Sequence, residues 1–496
     1  MNIVKETTVP TRNLLQTDAP LFDALVRYAN SETVSFDVPG HKMGALNTPF
    51  RDAIGEQALK MDVNSMVELD LLSHPKSVIK DAQELAAQSF GADHAFFLVN
   101  GTTVGIHAML LASCKPGETL LVPRNCHKSV IDGMILSGVL PTFMQPEVDE
   151  QFGISHSVSA ENVAKALKEN PTAKAVLVTY PTYFGTMTDL KTICEIAHAA
   201  GAIVLVDAAH GAHLRSMEGM IDPIQAGADL VTTSMHKTGG SLTQSSLLLL
   251  QGNRITADKV RKVTSMLQTT SANYLLMSSL DAARRELALH GANAFQRLKP
   301  IIDEAIELIE SGGHYEVLKN NNVSNRFLQS HDWTKLVIRV NGLGRTGFEV
   351  YSLLKQRYGI QMELAEGYVV MAVVTPADTT TTIECLTSAL LDIERTCTKP
   401  HVLHSAWTVV DSVNELVMTP RDAFYAEQES VAIDDAIGRI SADTLMIYPP
   451  GIPLVIPGER ITCEVIQHYA YYEQAFGSVL SESKQSGSVT VVKGGF

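Results

Sequence analysis

Short apolar runs alternate with longer amphipathic stretches between about residues 77 and 251. Six of these runs have the length and the bounding turn residues that are typical of buried strands. They cover residues 95–99, 119–122, 175–179, 203–206, 230–233 and 246–250. The intervening stretches predict helices over residues 78–89, 104–113, 129–137, 160–168 and 190–199. This alternation predicts an α/β fold with a mostly parallel central sheet that is covered on both faces.

The rest of the chain divides around this sheet. A long helical pattern over about residues 257–311 leads away from it, and a β-α-β-α pattern follows between residues 335 and 393. Turns rich in Pro and Gly mark the C-terminal region, which follows a linker at about 398–412. The predicted units are an N-terminal arm and loop (1–60), a large domain (61–310), a small α/β domain (311–397) and a C-terminal domain (398–496).

Composition and charge narrow the classes of function. With 39 Lys and Arg against 54 Asp and Glu, the 496-residue chain has a formal net charge of −15, which disfavours nucleic acid and anionic membranes as partners. The N-terminus lacks the apolar segment of a signal peptide, and no apolar run approaches the roughly 20 residues of a membrane helix. Six scattered cysteines form no CxxC pair and show no zinc-ligand spacing. We therefore expect a cytoplasmic protein with reduced thiols and no metal.

Polar side chains follow four of the predicted strands. Asp207 ends one strand, and Ser234, His236 and Lys237 follow the next. A turn that contains Gly101, Thr102 and Thr103 connects the first strand to a helix, and His127 follows the second strand. Because parallel sheets bind ligands beyond the carboxyl ends of their strands, we expect these side chains to share one site.

The set matches the needs of pyridoxal phosphate (PLP). This cofactor requires a lysine amine, a carboxylate on its pyridine nitrogen, a phosphate cup and a group stacked on the ring. Lys237 offers the amine, Asp207 the carboxylate and His127 the stacking ring. Residues 101–103 form the cup at a helix N-terminus, and Ser234 and His236 add phosphate contacts. Taken alone, each feature is also typical of an ordinary helix cap, a strand–helix connection or a solvated side chain. The prediction therefore depends on the order in which these features follow one another along the chain.

Several longer segments point to one family. They are VPGHKMG (38–44), FFLVNGTTVGIHAML (96–110), PRNCHKS (123–129), PTYFGTMTDL (181–190), VDAAHGAH (206–213), TSMHKTGGSLTQSS (233–246), TTSANYLLMSSLD (269–281), TPRDAFYA (419–426) and YPPGIPLVIPGE (448–459). In these segments the chain closely resembles the ornithine/lysine/arginine decarboxylases, in their short bacterial form. This family belongs to the fold type I PLP-dependent enzymes, which have an aspartate aminotransferase-like architecture.

The resemblance implies roles for individual residues. Lys237 would hold the cofactor as an imine, Asp207 would pair with its pyridine nitrogen, and His127 would stack on its ring. His210 would lie near the cofactor. The phosphate group of the cofactor would contact Gly101, Thr102, Thr103, Ser234 and His236. Family members are at least dimers with sites at the subunit interface, which implies that Thr270 and Ser271 approach a partner's site. The C-terminal segment would enclose the substrate, with Glu459 near its cationic end.

The implied reaction is the decarboxylation of a basic L-amino acid, with arginine giving agmatine and CO2 for polyamine biosynthesis. Lysine and ornithine are alternative substrates, and Glu68, Asp70 and Asp422 are further candidates for the cationic end. His210, Lys237 or a partner residue could protonate the product. The family usually reads VDEAHG, whereas this chain has Ala208 in place of the Glu, which puts substrate preference in question.

Two other functions stay open at this stage. A transaminase of the same fold would use an arginine of the small domain to clamp the substrate carboxylate, and Arg339 and Arg345 lie in that region. A non-catalytic, PLP-binding regulator is the other alternative, and only the Ala208 change favours it.

Overall fold

The computed structural model describes residues 13–320, 328–396, 414–447, 452–476, 479–481 and 487–494. The predicted linker at 398–412 lies outside the described residues. So do the first twelve residues of the predicted arm.

Up to residue 310, the structure consists of a strand-and-helix region that begins with three short helices. The helices are α1 (Pro20–Ala29), α2 (Pro49–Ile54), α3 (Glu56–Met61), α4 (Val78–Phe90), α5 (Gly101–Ser113), α6 (Lys128–Ser137), α7 (Ala160–Glu169), α8 (Leu190–Ala199), α9 (Pro223–Ala226), α10 (Met235–Thr238), α11 (Ala257–Leu267) and α12 (Tyr274–Glu310). The strands are β1 (His94–Leu98), β2 (Thr119–Pro123), β3 (Leu140–Met144), β4 (Val148–Asp149), β5 (Ile154–Ser155), β6 (Ala175–Thr179), β7 (Thr186–Thr188), β8 (Ile203–Asp207), β9 (Leu230–Thr233) and β10 (Ser246–Leu250).

Seven strands of the described residues form the main sheet, in the order β1-β10-β9-β8-β6-β2-β3. Strand β10 runs antiparallel to both neighbours, and the pairs from β9 to β3 are parallel. The mostly parallel sheet is thus confirmed, and all six predicted strands belong to it. Strand β3 was not predicted, because it lies at the sheet edge, is half-exposed and contains Pro141.

Hydrophobic cores cover both faces of this sheet. Along β8, Ile203 and Leu205 pack into one core, whereas Val204 and Val206 pack into the other. Successive side chains of a strand point to opposite faces, so a strand buried on both sides reads as one continuous apolar run. This is why the strand patterns contain so few polar residues.

The long helical pattern that follows the sheet corresponds to two helices instead of one. Helix α11 ends at Leu267, and α12 begins only at Tyr274, where the Asn273 side chain caps it by accepting the Leu276 N–H at 3.0 Å. The first turns of α12 pack into the core of the main sheet, and its last turns, from Leu298 onward, pack into a second core. Helix α12 therefore joins the two parts of the molecule.

Residues 311–396 contain the predicted β-α-β-α pattern. The elements are β11 (Glu316–Val317), β12 (Leu328–His331), β13 (Lys335–Arg339), α13 (Gly347–Tyr358), β14 (Leu364–Ala365), β15 (Val369–Val373) and α14 (Thr380–Thr396). The sheet order is β11-β13-β15-β14, and every pair in it is antiparallel. Strand β12 instead pairs with β7 of the large region.

The C-terminal region adds two helices and five strands among the described residues. They are α15 (Pro420–Tyr425), β16 (Gln428–Ala432), β17 (Leu445–Ile447), β18 (Ile452–Val455), α16 (Cys463–Phe476), β19 (Val479–Leu480) and β20 (Ser488–Val492). Ile338 of β13 and Leu454 of β18 belong to the same hydrophobic core. The boundary predicted at residue 397 therefore does not separate two cores. None of the described helices is both long and apolar enough to cross a membrane.

One buried carboxyl group lies where these last two regions meet. Glu366, in the turn between β14 and β15, is 4% exposed and accepts the Tyr472 hydroxyl of α16 at 3.2 Å. Burial disfavours its charged form and raises the pKa of Glu366 to about 8, from an ordinary 4.5.

The fold should therefore lose stability as pH rises from 4.5 to about 8, because the folded protein retains a proton that the unfolded chain releases. Glu366→Gln removes this loss. In thermal denaturation we expect the variant to be more stable than the parent by roughly 1–3 kcal/mol near the upper end of that range, and to match it near the lower end. The exposed Glu427→Gln is the control. Equal melting temperatures of Glu366→Gln and the parent across this range would contradict the assignment.

Candidate functional site

A cavity of about 690 Å³ lies at the carboxyl edge of the main sheet. Residues that follow β1, β2, β8 and β9 line it, as the sequence predicted, and the loop after β6 adds residues 181–184. The lining residues are Thr102, Ile106, Asn125, His127, Ser155, Thr179, Pro181, Thr182, Tyr183, Phe184, Asp207, Ala209, His210, Lys237 and Ile452.

Lys237 lies in the one-turn helix α10, directly after β9. Its Nζ lies 2.9 Å from Nε2 of His210 and 5.9 Å from the centre of the Tyr183 ring. Burial lowers the pKa of Lys237, while the negative charges of Asp207 and Glu363 act in the opposite direction. A lysine whose ammonium form is destabilised in this way has a larger fraction of reactive neutral amine near neutral pH.

His210 is 6% exposed and acts as the acceptor for Lys237. Burial, reinforced by the positive charge of Lys237, lowers the pKa of His210 well below its ordinary value. The imidazole is therefore neutral, and acceptance at Nε2 assigns its proton to Nδ1. The Tyr183 ring packs against the imidazole with the ring centres 4.4 Å apart. The aromatic contact and the lysine together orient His210.

Asp207 is the last residue of β8, and its carboxylate is 4% exposed. Its Oδ1 accepts the backbone N–H of Ala209 at 3.1 Å, which holds the side chain at the cavity. The neighbouring Ala208 is buried in the core of the main sheet and does not line the cavity.

His127 caps the N-terminus of α6, where its Nδ1 accepts the Ser129 N–H at 3.1 Å. This bond leaves the Nε2 side of the ring exposed to the cavity. The surrounding protein desolvates the ring and lowers the pKa of His127, against the attraction of Asp207. A neutral, fixed imidazole face at the cavity suits the stacking role that the resemblance implies.

Helix α5 begins at Gly101, whose φ of +69° suits glycine, and points its first turn toward this edge of the sheet. Thr102 lines the cavity, and its Oγ1 lies 3.1 Å from Oγ of the buried Ser234. Gly105 lets the helix approach β9, because a Cβ there would lie 2.1 Å from Oγ1 of Thr232. The Gly101 N–H donates to the Gln244 carbonyl oxygen at 2.8 Å, so a phosphate cup at this turn would use the N–H groups that follow it and the hydroxyls.

Other predicted site residues lie outside this cavity. Thr103 is exposed, and Nδ1 of His236 lies 3.0 Å from the carbonyl oxygen of Ser245, just before β10. His236 lines a second cavity of about 1480 Å³, which borders Lys237 from another side. Thr270 and Ser271 are exposed between α11 and α12 and line neither cavity. Their predicted contact with a partner subunit stays a prediction.

The substrate role predicted for Glu459 does not agree with the structure. Its side chain is completely buried and forms an ion pair of 2.9 Å with Arg124. Of the other acidic candidates, Glu68 is exposed and does not line the cavity, and Asp70 and Asp422 bond elsewhere. Asp70 accepts backbone N–H groups of residues 71–79, and Asp422 bonds Thr419 at the start of α15.

Two residues that the sequence analysis did not single out lie near Lys237. Glu363 is exposed, accepts the Tyr183 hydroxyl at 2.5 Å, and raises the pKa of Lys237 by its charge. Lys335 is completely buried, and its Nζ has no hydrogen-bond partner among the described residues. The aliphatic part of the Lys335 side chain packs against Gly185, where a Cβ would lie 2.7 Å from Cγ of Lys335. The pKa of Lys335 is lowered to about 8, mainly by burial; the charge of Lys237 acts in the same direction, and the charges of Asp332 and Glu363 oppose it.

The arginines considered for a transaminase lie elsewhere. Arg339 pairs with Glu316 at 2.9 Å, and Arg345 lines a separate surface cavity on α13. Among the described residues, no arginine lines the cavity that contains Asp207 and His210, whereas Arg297 lines the second cavity that borders Lys237.

Comparison with known proteins agrees with this geometry. The family model for the Orn/Lys/Arg decarboxylase major domain matches residues 19–330, and the model for the C-terminal domain of the same family matches residues 404–480. The chain is 42% identical to an arginine decarboxylase of Bacillus subtilis over 456 residues, which cover 91% of this chain and 93% of that protein. It is 40% identical to an arginine decarboxylase of Bacillus cereus, over 92% of this chain and all of that protein.

Solved structures show the same fold. A lysine decarboxylase of Francisella novicida superposes with a TM-score of 0.82 at 21% identity, over 95% of this chain and 80% of that one. A ureidoglycine–glyoxylate aminotransferase of Bacillus subtilis, of fold type I, matches with a TM-score of 0.53 at 14% identity, over 65% and 85%. The chain belongs to the Orn/Lys/Arg decarboxylase family, and it is an amino acid decarboxylase of fold type I.

The charges around Lys237 predict how its amine responds to mutation in the cofactor-free protein. Asp207→Asn and Glu363→Gln each remove a negative charge that stabilises the ammonium form, so each should lower the pKa of Lys237. Labelling with an amine-reactive ester, followed by peptide mass spectrometry, should show Lys237 reacting at lower pH in both variants. The distant Asp303→Asn should leave the profile unchanged. A profile that moves to higher pH in either variant would rule out this electrostatic account.

Proposed function

We propose that this protein converts arginine to agmatine and CO2, with PLP bound at Lys237. The observation that carries the proposal is the Lys237 amine 2.9 Å from a neutral His210, beside the buried Asp207 carboxylate in one cavity. The two arginine decarboxylases at about 40% identity favour arginine over lysine, because a lysine decarboxylase of Hafnia alvei is 25% identical.

The residues around the cavity fit the cofactor. A buried carboxylate, a lysine amine and a helix N-terminus lie around one space, and these are the three groups that a pyridinium, an aldehyde and a phosphate require. When bound, PLP accepts the electron pair that CO2 leaves behind. Asp207 would favour the protonated pyridine by its charge, and His127 would hold the ring plane. Thr102 and Ser234 would donate to the phosphate.

His210 would position the amine of Lys237. A neutral imidazole that accepts the hydrogen bond of the amine at Nε2 holds it in one orientation at the cavity. Ile106, Pro181, Phe184 and Ile452 give the cavity an apolar wall, which limits water near the reacting carbon. These residues would keep the substrate carboxylate poorly solvated, which favours its loss as neutral CO2.

We also propose that Glu363 receives the cationic end of the substrate. It is an exposed carboxylate that acts on the charge of Lys237, and the Tyr183 hydroxyl fixes one of its oxygens. A guanidinium can share a carboxylate through two parallel hydrogen bonds, whereas an ammonium makes a single point contact.

The assembly is proposed to be a homodimer or larger homo-oligomer in the cytoplasm. Large apolar side chains such as Phe36 and Val67 are more than 90% exposed in the single chain, as expected of surface that a second copy covers. Cys114, Cys126 and Cys194 are buried free thiols, as expected in a reducing compartment.

The reaction is tested by adding PLP to the purified protein and measuring CO2 from arginine, lysine and ornithine separately. We expect arginine to be the best substrate and agmatine to be the product. Lys237→Ala should reduce the rate by roughly a thousand-fold or more, because the amine that anchors the cofactor is gone. Formation of a keto acid without CO2 would instead indicate a transaminase, and the absence of both products would indicate a non-catalytic binding protein.

The role of Glu363 is tested by Glu363→Gln. Loss of one charged hydrogen-bond partner should lower kcat/KM for arginine by roughly ten- to a hundred-fold and weaken agmatine binding, measured by spectral titration, by a similar factor. Tyr183→Phe should act in the same direction but less strongly, because it removes only the hydrogen bond that holds the Glu363 carboxylate in place. Glu384→Gln, an exposed glutamate on α14, is the matched control. Unchanged agmatine binding in Glu363→Gln would exclude this role.

A further inference from the structure

A buried ion pair joins the loop after β2 to the C-terminal region. Nη2 of Arg124 lies 2.9 Å from Oε2 of Glu459, and the two side chains are 2% and 0% exposed. Because each charge loses its hydration on burial, removing either partner would leave the other charge unpaired inside the protein. Such a pair can persist only if its neighbours hold both groups in place.

Further hydrogen bonds connect both members of the ion pair to the backbone of the C-terminal region. Arg124 donates through Nη1 to the carbonyl oxygen of Pro453 at 2.9 Å, and through Nη2 to that of Leu454 at 3.2 Å. Oε2 of Glu459 also accepts the Ile456 N–H at 3.0 Å and Nδ2 of Asn414 at 3.2 Å. The planar guanidinium thus serves three acceptors at once, a geometry that a lysine ammonium at the same position cannot reproduce.

The two chain segments that the ion pair joins both contribute residues to the cavity wall. Arg124 precedes Asn125 and His127, which line the cavity from the large region. Pro453, one of the carbonyls that Arg124 contacts, follows Ile452, which lines the cavity from the C-terminal region. Asn125 is itself fixed, since its Nδ2 donates to Ser155 Oγ at 3.0 Å and to the His156 carbonyl at 2.9 Å. The ion pair therefore connects two chain segments that each contribute to the cavity wall.

We propose that Arg124 and Glu459 are positioning residues that hold Ile452 against the cavity, and so set how closely the site fits the apolar part of its substrate. This inference rests on the proposed decarboxylase function. Glu459 then acts on the substrate through Ile452 and not by contacting its cationic end. Without the pair, Pro453 and Leu454 lose their donor, and the wall at Ile452 is no longer tied to the loop that carries His127.

Arg124→Lys and Glu459→Gln test the proposal, with Arg460→Lys as the matched control. Arg460 follows Glu459 in the chain, but its ion pair with Glu415 is exposed and contributes little to stability. We expect the two buried variants to raise KM for arginine by roughly ten-fold or more, with a smaller change in kcat, while the visible absorbance of bound PLP is retained. Arg460→Lys should behave like the parent.

A second measurement is independent of activity. In an Ile452→Cys background, the rate at which a thiol reagent labels the peptide that contains position 452 reports how firmly the wall is held. We expect Arg124→Lys and Glu459→Gln to speed this labelling by roughly ten-fold or more, and Arg460→Lys to leave it unchanged. Lower thermal stability together with unchanged labelling and unchanged KM would overturn the proposal, because the pair would then be only structural.

Ile452→Ala removes the side chain from the wall and leaves the ion pair intact. It should reproduce the rise in KM without loss of thermal stability, so it decides the case even if the charge variants fold poorly. An unchanged KM in Ile452→Ala would overturn the proposal. If the parent protein releases no CO2 from any basic amino acid, the proposed function fails, and the labelling rates still decide whether the pair holds the wall.

Discussion

A lysine amine that reacts near neutral pH must be kept partly desolvated. It must also remain close to a hydrogen-bond acceptor and to negative charges that stabilise its ammonium form. The end of β9 meets this constraint at Lys237. The protein around it destabilises the ammonium form, Asp207 and Glu363 limit that effect, and His210 accepts the hydrogen bond. The rest of the site follows from these contacts, because each partner of Lys237 lies at the end of a different element.

The sheet accounts for this convergence. Strands β8 and β9 are adjacent and parallel, so Asp207 at the end of β8 and Lys237 after β9 share one edge. The neutral state of His210 depends on the same crowding, since burial and the charge of Lys237 both oppose its protonation. The C-terminal region contributes Ile452 to the cavity. Glu363 and Lys335 of the small region do not line the cavity, but the charge of Glu363 acts on Lys237, and the charge of Lys237 acts on Lys335.

The sequence was sufficient to predict the elements that lie deepest in the molecule. Strands that are buried on both faces appear as apolar runs, and the polar residues that follow them lie where a parallel sheet places its ligands. Strand β3 was missed because an edge strand lacks this pattern, and the break between α11 and α12 has no Pro or Gly to signal it. The predicted site residues that line the cavity belong to motifs at strand ends.

Residues whose role depends on distant partners could not be assigned in this way. Glu459 was interpreted as a substrate contact, but its partner Arg124 lies 335 positions earlier, and sequence spacing carries no information about such a pairing. Glu363 and Lys335 were overlooked for the same reason, because they reach Lys237 only when the small region packs against the large one. The family resemblance supplied the cofactor and the order of the motifs, whereas the structure supplied the charges that act on the amine.

The most direct test of this account is to reduce the PLP-loaded protein with borohydride and map the modified lysine by peptide mass spectrometry. The account predicts one pyridoxyl group per chain, on Lys237. Modification of Lys335, the other buried lysine near the cavity, or of no single lysine would contradict it.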